Sequence, residues 1–106
     1  REAIQAISPN YIHSIDAAHM FLTIARLIKL NINELCMVHD SYGCHCNNVD
    51  NMRDCLREEF VKIHTTNQLE VFKEEIETQL GMQLPEVPKR GSLDLEQVLK
   101  SDYFFA

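Results

Sequence analysis

The dipeptide His39-Asp40 carries the side chains best suited to chemistry in this sequence. It follows the short apolar run of residues 35–38 (Leu-Cys-Met-Val) and precedes Ser-Tyr-Gly at residues 41–43, and Asp, Ser and Gly all favour turns. A turn would hold the Asp40 carboxylate in a fixed and exposed position. Its oxygens suit a hard cation such as Mg²⁺, which proteins bind through one or two carboxylates together with substrate phosphates. The alternative is a structural role, in which Asp40 accepts hydrogen bonds from backbone N–H groups of the turn.

The cysteines and the neighbouring histidine raise a second possibility, a zinc site. Cys44, His45 and Cys46 are consecutive, and Cys36 and Cys55 lie on either side of them. Structural zinc sites use ligand pairs separated by two to four residues, whereas Cys44 and Cys46 have only one residue between them. The sequence also has no second pair of ligands. Reduced, buried thiols are therefore the preferred interpretation. A catalytic pair of Cys44 and His45 is disfavoured, because adjacent side chains on a strand point to opposite faces.

The hydrophobic pattern predicts the elements before and within the turn. Residues 35–38 are expected to form a buried strand, residues 39–43 the turn, with a positive φ allowed at Gly43, and residues 44–46 the return strand of a hairpin. Pro9 is expected to break any helix before it, and a helix capped by Ser14 or Asp16 is expected to end at about Lys29. The apolar residues of that helix that recur at helical spacing are Ala18, Phe21, Leu22, Ala25 and Ile28.

Further helices are predicted after the hairpin. One begins at Asp50, and another extends from about Asn67 to Leu80, where Gly81 is a natural stop. A stiff Leu-Pro-Glu-Val-Pro connector at residues 84–88 precedes a short helix at 93–99 and an aromatic end at 101–106, which composition alone predicts to be a hydrophobic plug. The predicted fold class is therefore α+β and helix-rich, with a β-hairpin that carries the His39-Asp40 turn, the candidate catalytic turn, packed on three or four helices.

Composition limits the classes of function. The chain has 106 residues, the size of one ordinary domain, and is 45% hydrophobic and 25% charged. Ten Lys and Arg residues stand against 16 acidic ones, and a net charge of −6 argues against a small basic protein whose whole surface binds nucleic acid. A part of a larger nucleic-acid enzyme stays possible, since charge is local. No apolar run approaches the roughly 18 residues of a membrane span. We therefore expect no membrane partner and an intracellular location.

Three separated segments together resemble one family, the phage-type single-subunit RNA polymerases with their mitochondrial and plastid relatives. Residues 9–20 (PNYIHSIDAAHM) are similar to the family's P-N-F/Y-x-H-S-x-D-x-S/T-H stretch. Residues 38–43 (VHDSYG) resemble its third catalytic motif, H-D-S-F/Y. Within residues 84–106, the Leu-Pro and Val-Pro pairs and the final SDYFFA resemble the family's C-terminal foot. The three matches occur in the family's order and cover nearly the whole chain.

The resemblance implies part of the palm of a right-hand DNA-directed RNA polymerase, with residues 1–83 as the palm segment and residues 84–106 as the foot. It implies that Asp40 is the second of two metal-binding aspartates that hold Mg²⁺, and that His39 supports the turn and the primer end. Two-metal nucleotidyl transfer places its ions about 3.5–4 Å apart and needs a further carboxylate. Contacts with nucleic acid or nucleotide are implied for His13, Ser14, Tyr42 and the carboxylate of Ala106.

The implied partners are a DNA template, the nascent RNA, ribonucleoside triphosphates and the upstream palm and fingers of the same polymerase. The family's first metal-binding aspartate and its nucleotide-binding fingers helix match nothing in this sequence, and the sequence begins with Arg1 rather than Met. We therefore expect a C-terminal portion that does not polymerise alone. Gly43 is more typical of phage than of organellar enzymes, so a phage-infected host cytoplasm is the first expectation for its location, with a mitochondrion or plastid as the alternative.

Two other functions compete with this one. A family A DNA polymerase carries His-Asp-Glu at the corresponding turn, whereas Ser41 and the Phe-Phe-Ala end favour RNA synthesis. A small non-catalytic interaction module, stapled by metal through its cysteines, is the rival from a different class. Cys44-His45-Cys46 departs from the Thr-His pair that the family usually has after the motif, and thiols there are compatible with a return strand.

Overall fold

Three α-helices and one antiparallel hairpin make up the fold, and the computed structural model describes residues 2–105. This arrangement confirms the predicted helix-rich α+β class. Two short 3₁₀ turns, Cys46–Asn48 and Leu95–Leu99, flank the later helices. The regular elements are α1 (Glu2–Lys29), β1 (Leu35–Val38), β2 (Ser41–Cys44), α2 (Val49–Thr65) and α3 (Gln68–Leu80).

Helix α1 begins well before the predicted caps Ser14 and Asp16, and Pro9 lies inside its 28 residues. The predicted break at Pro9 was therefore wrong. A proline within a helix removes one backbone hydrogen bond and crowds the carbonyl of the residue four positions earlier. The residues before it, Glu-Ala-Ile-Gln-Ala at positions 2–6, are mostly strong helix formers that allow the helix to continue on both sides of this single defect.

The buried face of α1 also differs from the apolar face that the spacing indicated. His19, Thr23 and Leu27, four residues apart, are the buried positions. Their polar atoms are satisfied inside the protein, because Thr23 Oγ1 donates to the carbonyl of His19 at 2.8 Å and His19 Nε2 donates to the carbonyl of Leu56 in α2 at 2.8 Å. A paired polar group is buried at little cost, so two polar side chains take places that the hydrophobic pattern reserved for carbon.

The apolar face predicted from the spacing lies on the outside of α1. Phe21, Leu22 and Ile28 are 65%, 45% and 52% exposed, and Ala18 and Ala25 are exposed as well. Nothing in residues 2–105 covers these side chains. We call these five residues the outer face of α1.

The hairpin is tighter than predicted. Its register pairs Val38 with Ser41 and Leu35 with Cys44, so the loop between the strands consists of His39 and Asp40 alone. The predicted turn over residues 39–43 and return strand over 44–46 were wrong, because β2 occupies Ser41–Cys44. The positive φ expected at Gly43 is found instead at His39, with φ 51°. A left-handed residue is what allows a two-residue loop to follow the twist of the strands.

The core lies between the C-terminal half of α1, the hairpin and α2. It contains Leu27, Ile32, Met52, Cys55 and Leu56. Helix α2 begins one residue before the predicted Asp50.

Helix α3 lies at the edge of the fold. Its bounds agree with the predicted helix from about Asn67 to Leu80: Asn67 caps its start, accepting a hydrogen bond from the Glu70 N–H at 3.5 Å, and Gly81, with φ 65°, ends it as predicted. None of its residues is fully buried. Within residues 2–105, every helix is too short or too polar to cross a lipid bilayer.

The C-terminal residues fold back onto α2. The predicted helix over 93–99 is a 3₁₀ turn, Leu95–Leu99, and Asp94 caps it by accepting a hydrogen bond from the Glu96 N–H at 3.1 Å. We call residues 98–105 the C-terminal tail. Phe104 and Phe105 pack against the core, as the plug interpretation predicts, while Tyr103 is 87% exposed.

Candidate active site

The hairpin loop opens onto a cavity of about 820 Å³ whose walls come from four parts of the chain. Helix α1, the hairpin, helix α2 and the C-terminal tail each contribute side chains. A space of this size accommodates a ligand as large as a nucleotide. The polar and aromatic residues that line it include Asp16, Asp40, Tyr42, Arg53, Phe104 and Phe105.

The Asp40 carboxylate stands at the tip of the hairpin, exposed and beside this cavity. A structural turn role would require it to accept hydrogen bonds from backbone N–H groups. Within residues 2–105, the side chains that accept such bonds are those of Asn67, Glu77, Asp94 and Ser101. Asp40 is not among them, and its oxygens are therefore available to a ligand.

Tyr42 lies two residues after Asp40 on β2 and is half-buried. Its ring meets that of Phe105 edge-on, with 5.3 Å between the ring centroids. Burial raises the pKa of the Tyr42 phenol, and the negative charges of Asp16 and Asp40 raise this pKa further. The phenol therefore stays protonated at neutral pH and can donate a hydrogen bond into the cavity.

Asp16 brings a second carboxylate to the cavity from α1. The sequence suggested it only as a helix cap, but α1 starts 14 residues earlier, at Glu2, so Asp16 lies inside the helix. The signal that could have found it is its place in the PNYIHSID stretch shared with the polymerase family. Within residues 2–105, no group of three or more His, Cys, Asp or Glu side chains is arranged to hold a metal ion. Asp40 and Asp16 are thus two carboxylates at the cavity that do not form a complete metal site with other described residues.

His13 and Ser14 lie outside this cavity. Both are exposed on α1, and neither lines the wall that holds Asp40. The Ser14 hydroxyl donates to the carbonyl of Tyr11 at 2.7 Å, which leaves its oxygen as an acceptor. His13 and Asp16 are three residues apart and therefore share a face of α1. The predicted contact at Ala106 falls outside the described residues.

A family model for DNA-dependent RNA polymerase matches residues 1–84. The chain belongs to this family. It is 38% identical to the mitochondrial DNA-directed RNA polymerase of Schizosaccharomyces pombe, over 95% of this chain and 11% of that protein. It is 42% identical to DNA-directed RNA polymerase 2B, chloroplastic/mitochondrial, of Nicotiana tabacum, over 94% of this chain and 10% of that protein. DNA-directed RNA polymerase 1A of the same plant is 39% identical over 94% of this chain and 64% of its own length.

These matches confirm the resemblance to the single-subunit RNA polymerases. The chain spans about a tenth of the length of the first two relatives. Both relatives bear organellar names, which supports the organellar alternative. The phage source expected from Gly43 gains no support from them.

Arg53 is a residue of the candidate site that the sequence gave no means to find. It lies on the exposed side of α2 and lines the same cavity as Asp40. In the sequence it is one of several charged residues on a helix. Only the packing of α2 beside the hairpin brings it to the cavity that Asp16 and Asp40 also line.

The cysteines of this polymerase segment remain free thiols. Burial raises the pKa of Cys44, and the neighbouring Cys46 raises it further; burial is also the main cause of the raised pKa of Cys55. A raised pKa keeps a thiol protonated and poorly nucleophilic. Cys36 and Cys46 are exposed, so the prediction of buried thiols holds for Cys55 alone in full.

Proposed function

We propose that this chain is part of the catalytic palm of a DNA-directed RNA polymerase, and that Asp40 binds Mg²⁺ during the transfer of ribonucleotides to an RNA 3′ end. The observation that supports this most directly is the position of its carboxylate. It lies at the tip of a two-residue loop beside an 820 Å³ cavity and accepts no backbone hydrogen bond within residues 2–105. Family membership makes a divalent metal requirement the general expectation.

The residues around Asp40 fit a hard cation in part. Asp40 supplies one carboxylate, and Asp16 lines the same cavity from α1 as a second source of oxygen. Mg²⁺ is commonly held by one or two carboxylates and completed by substrate phosphates and water, so this donor set suits it. When bound, the metal ions promote ionisation of the RNA 3′-hydroxyl and neutralise charge on the triphosphate.

His39, which does not line the cavity, and the residues that do line it have distinct roles in this proposal. The backbone of His39 holds the loop in the shape that presents Asp40, and its side chain supports the primer end. The Arg53 cation attracts the triphosphate, and the protonated Tyr42 phenol donates a hydrogen bond to substrate. The rings of Phe104 and Phe105 exclude water from the inner wall, which strengthens the electrostatic interactions there. Catalysis of this kind depends on position and charge rather than on a protein nucleophile.

We place the nucleic acid along α1. His13 would meet the minor groove, where the pattern of base edges is nearly independent of sequence, as a polymerase requires. The Ser14 oxygen would accept a hydrogen bond from the nucleic acid. The nucleotide contact that we propose for Ala106 is supported by the resemblance of the final SDYFFA to the family's foot. Residues 1–83 would act as the palm segment and residues 84–106 as the foot.

The partners in this proposal are the DNA template, the nascent RNA, ribonucleoside triphosphates and the upstream palm and fingers of the same polymerase. The outer face of α1 supports the last of these, since a contiguous exposed apolar surface marks an interface. A single aspartate from the H-D-S motif does not hold two metal ions, so the chain alone would not polymerise. The names of the relatives support a mitochondrial or plastid location.

The test is nucleotide incorporation by the full-length protein on a primed DNA template with Mg²⁺, comparing wild type with Asp40→Asn. Asp40→Asn keeps the size of the side chain and removes its charge, so we expect incorporation to fall by about 10²-fold or more. Asp50→Asn makes the same change at an exposed position outside the cavity and is expected to keep full activity.

Each outcome of this test assigns the site differently. Full activity of Asp40→Asn would return Asp40 to a structural turn role. Deoxyribonucleotides incorporated in preference to ribonucleotides would move the protein to the DNA polymerase alternative while keeping the metal assignment.

A further inference from the structure

Among the described residues, Arg57 is a buried cation that forms no ion pair. It lies on α2, and its residue surface is 6% exposed. The ion pairs within residues 2–105 join Arg26, Lys62 and Lys73 to glutamates, and none involves Arg57. A buried charge without an opposite charge is costly, and an apolar side chain of similar volume usually packs there at lower cost. Stability alone therefore does not account for an arginine at this position.

The guanidinium of Arg57 is held by the C-terminal tail. Its Nη1 donates to the carbonyl of Val98 at 2.8 Å and also to the carbonyl of Ser101. Its central carbon lies 5.8 Å from the centroid of the Phe104 ring, a distance typical of a cation–π contact. The Nε of Arg57 finds no hydrogen-bond partner in the described part of the chain. The contacts that hold the guanidinium are therefore the two carbonyls and the face of the Phe104 ring.

The same tail forms one wall of the candidate active site. Phe104 packs on Phe60 of α2, with 4.9 Å between ring centroids, and Phe105 packs edge-on against Tyr42 at 5.3 Å. Tyr42 is separated from Asp40 by one residue of β2. A short chain of contacts thus leads from Arg57 through the tail to the strand that begins just after the metal-binding loop.

We propose that Arg57 is a positioning residue, which fixes the C-terminal tail so that Phe105 supports Tyr42 and the loop that carries Asp40. This inference rests on the proposed polymerase function. Arginine suits the task because its planar fork holds several donors in a rigid geometry and stacks flat on an aromatic face. The lysine ammonium is a compact charge on a flexible stem and has no such planar group. The tail lacks a long helix or a strand of its own within residues 98–105, so its placement depends on such side-chain contacts.

The first test measures the tail without using activity. In the full-length protein, Arg57→Met removes the donors and keeps a long apolar side chain, and Lys62→Met removes an exposed cation from the same helix as the control. We expect faster hydrogen exchange over residues 98–105 and faster chymotryptic cleavage after Phe104 and Phe105 in Arg57→Met alone. An unchanged tail in Arg57→Met would overturn the proposal, whether or not the protein polymerises.

The second test is a double-mutant cycle on ribonucleotide incorporation that combines Arg57→Met with Phe105→Ala, measured well below the unfolding temperature of every variant. Small displacements in an active site cost up to about 100-fold, and we expect a loss of about 10- to 100-fold in kcat/KM for Arg57→Met. If Arg57 acts through the tail, the same substitution costs less than about 3-fold once Phe105 is truncated. Equal losses in both backgrounds would indicate a merely structural role and overturn the inference.

The conservative variant adds a third readout. Arg57→Lys keeps the charge but cannot bind two carbonyls and a ring face together, so its activity and tail protection are expected to lie between those of wild type and Arg57→Met. Activity of Arg57→Lys no higher than that of Arg57→Met, with wild-type tail protection, would contradict the positioning role. An inactive wild type would instead refute the proposed function and leave the tail measurement to decide the role of Arg57.

Discussion

At the scale of single residues, the conformation of His39 decides where Asp40 stands. With φ 51°, His39 occupies the left-handed region, which costs a residue with a Cβ about 1–2 kcal/mol. Histidine is among the side chains found there more often than average, whereas β-branched residues are rare. The strain is the condition for a loop of only two residues, and a longer loop would leave the carboxylate less firmly placed.

Two substitutions separate the backbone of His39 from its side chain. We expect His39→Val to destabilise the protein by about 1 kcal/mol or more, because a branched side chain does not adopt this conformation, and His39→Gly to leave stability unchanged or slightly higher. Urea unfolding measures both. If the imidazole supports the primer end, His39→Gly lowers nucleotide incorporation despite its intact stability. A stable His39→Val variant would contradict the left-handed conformation.

His64 gives the protein a pH dependence at the same scale. Its ring lies 4.3 Å from that of Phe60, and burial lowers its pKa, with further lowering from the charges of His19 and Arg90. The unfolded chain, with a His pKa of about 6.5, then binds more protons than the folded chain between that value and the lower folded pKa. Stability is therefore complete above about pH 6.5 and declines as the pH falls through this window.

The expected measurement is a lower urea midpoint at pH 5.5 than at pH 7.5, with a smaller difference in His64→Gln, which cannot titrate. His45→Gln changes an exposed histidine and is the matched control. A pH dependence identical in wild type and His64→Gln would show that another group is responsible.

At the scale of elements, α1 shows what hydrophobic spacing can and cannot predict. The spacing predicted the C-terminal half of the helix and its end at Lys29 correctly, because periodicity is a local property, but not its start at Glu2. It chose the wrong buried face, since the hydrogen bond from His19 to the Leu56 carbonyl depends on the packing of α1 on α2, residues 37 apart in sequence. Capping signals were correct for α3, which Asn67 and Gly81 bound, but wrong for α1, where Ser14 and Asp16 lie inside the helix.

The candidate site divides in the same way. His39, Asp40 and Tyr42 lie within four residues, so any tight turn after β1 brings them together, and the sequence predicted them. Asp16 and Arg53 reach the same cavity from two helices. Their arrival depends on how α1 and α2 pack around the hairpin, which no local pattern contains. The hairpin register was predicted wrongly because Gly43 was taken as the residue with a positive φ, and the turn was extended to include it. The residue that adopts a positive φ in the loop is His39.

Pro9 provides a prediction for α1 as an element. Pro9→Ala restores an N–H that can donate to the Gln5 carbonyl, and proline in a helix interior costs about 3 kcal/mol relative to alanine. We expect slower hydrogen exchange of the amides around residues 5–12 in Pro9→Ala. Pro9→Gly restores the N–H without the helix propensity and is expected to gain less. Unchanged exchange in both variants would indicate that α1 does not continue through residue 9.

At the scale of the whole molecule, the outer face of α1 is the most conspicuous surface. Phe21 and Ile28 are 65% and 52% exposed on one side of a helix whose opposite side forms the core. An apolar helix face is normally buried, and α1 has one such face outside and packs with its opposite side in the core. The described residues cover only the side in the core.

We expect the 106-residue chain, produced alone, to self-associate and to bind a dye that reports apolar surface. Phe21→Glu combined with Ile28→Lys should reduce both effects in the isolated chain and should impair assembly in the full-length protein, where we propose that other segments cover the same face. Sedimentation and dye fluorescence measure the first effect and thermal unfolding the second. Thr78→Glu, at an exposed polar position of α3, is the control. A monomeric isolated chain without dye binding would contradict this assignment of the face.

The contacts of Arg57 have a consequence for how this region tolerates change. Its two hydrogen bonds go to the carbonyls of Val98 and Ser101, and every amino acid provides a carbonyl. Side chains at 98 and 101 can therefore vary across generations with little effect on these bonds, whereas a single nucleotide change at codon 57 can remove both. Substitutions at positions 98 and 101 of the tail would then leave this contact intact, whereas a substitution of Arg57 in α2 would break it, although both segments meet at the same contact.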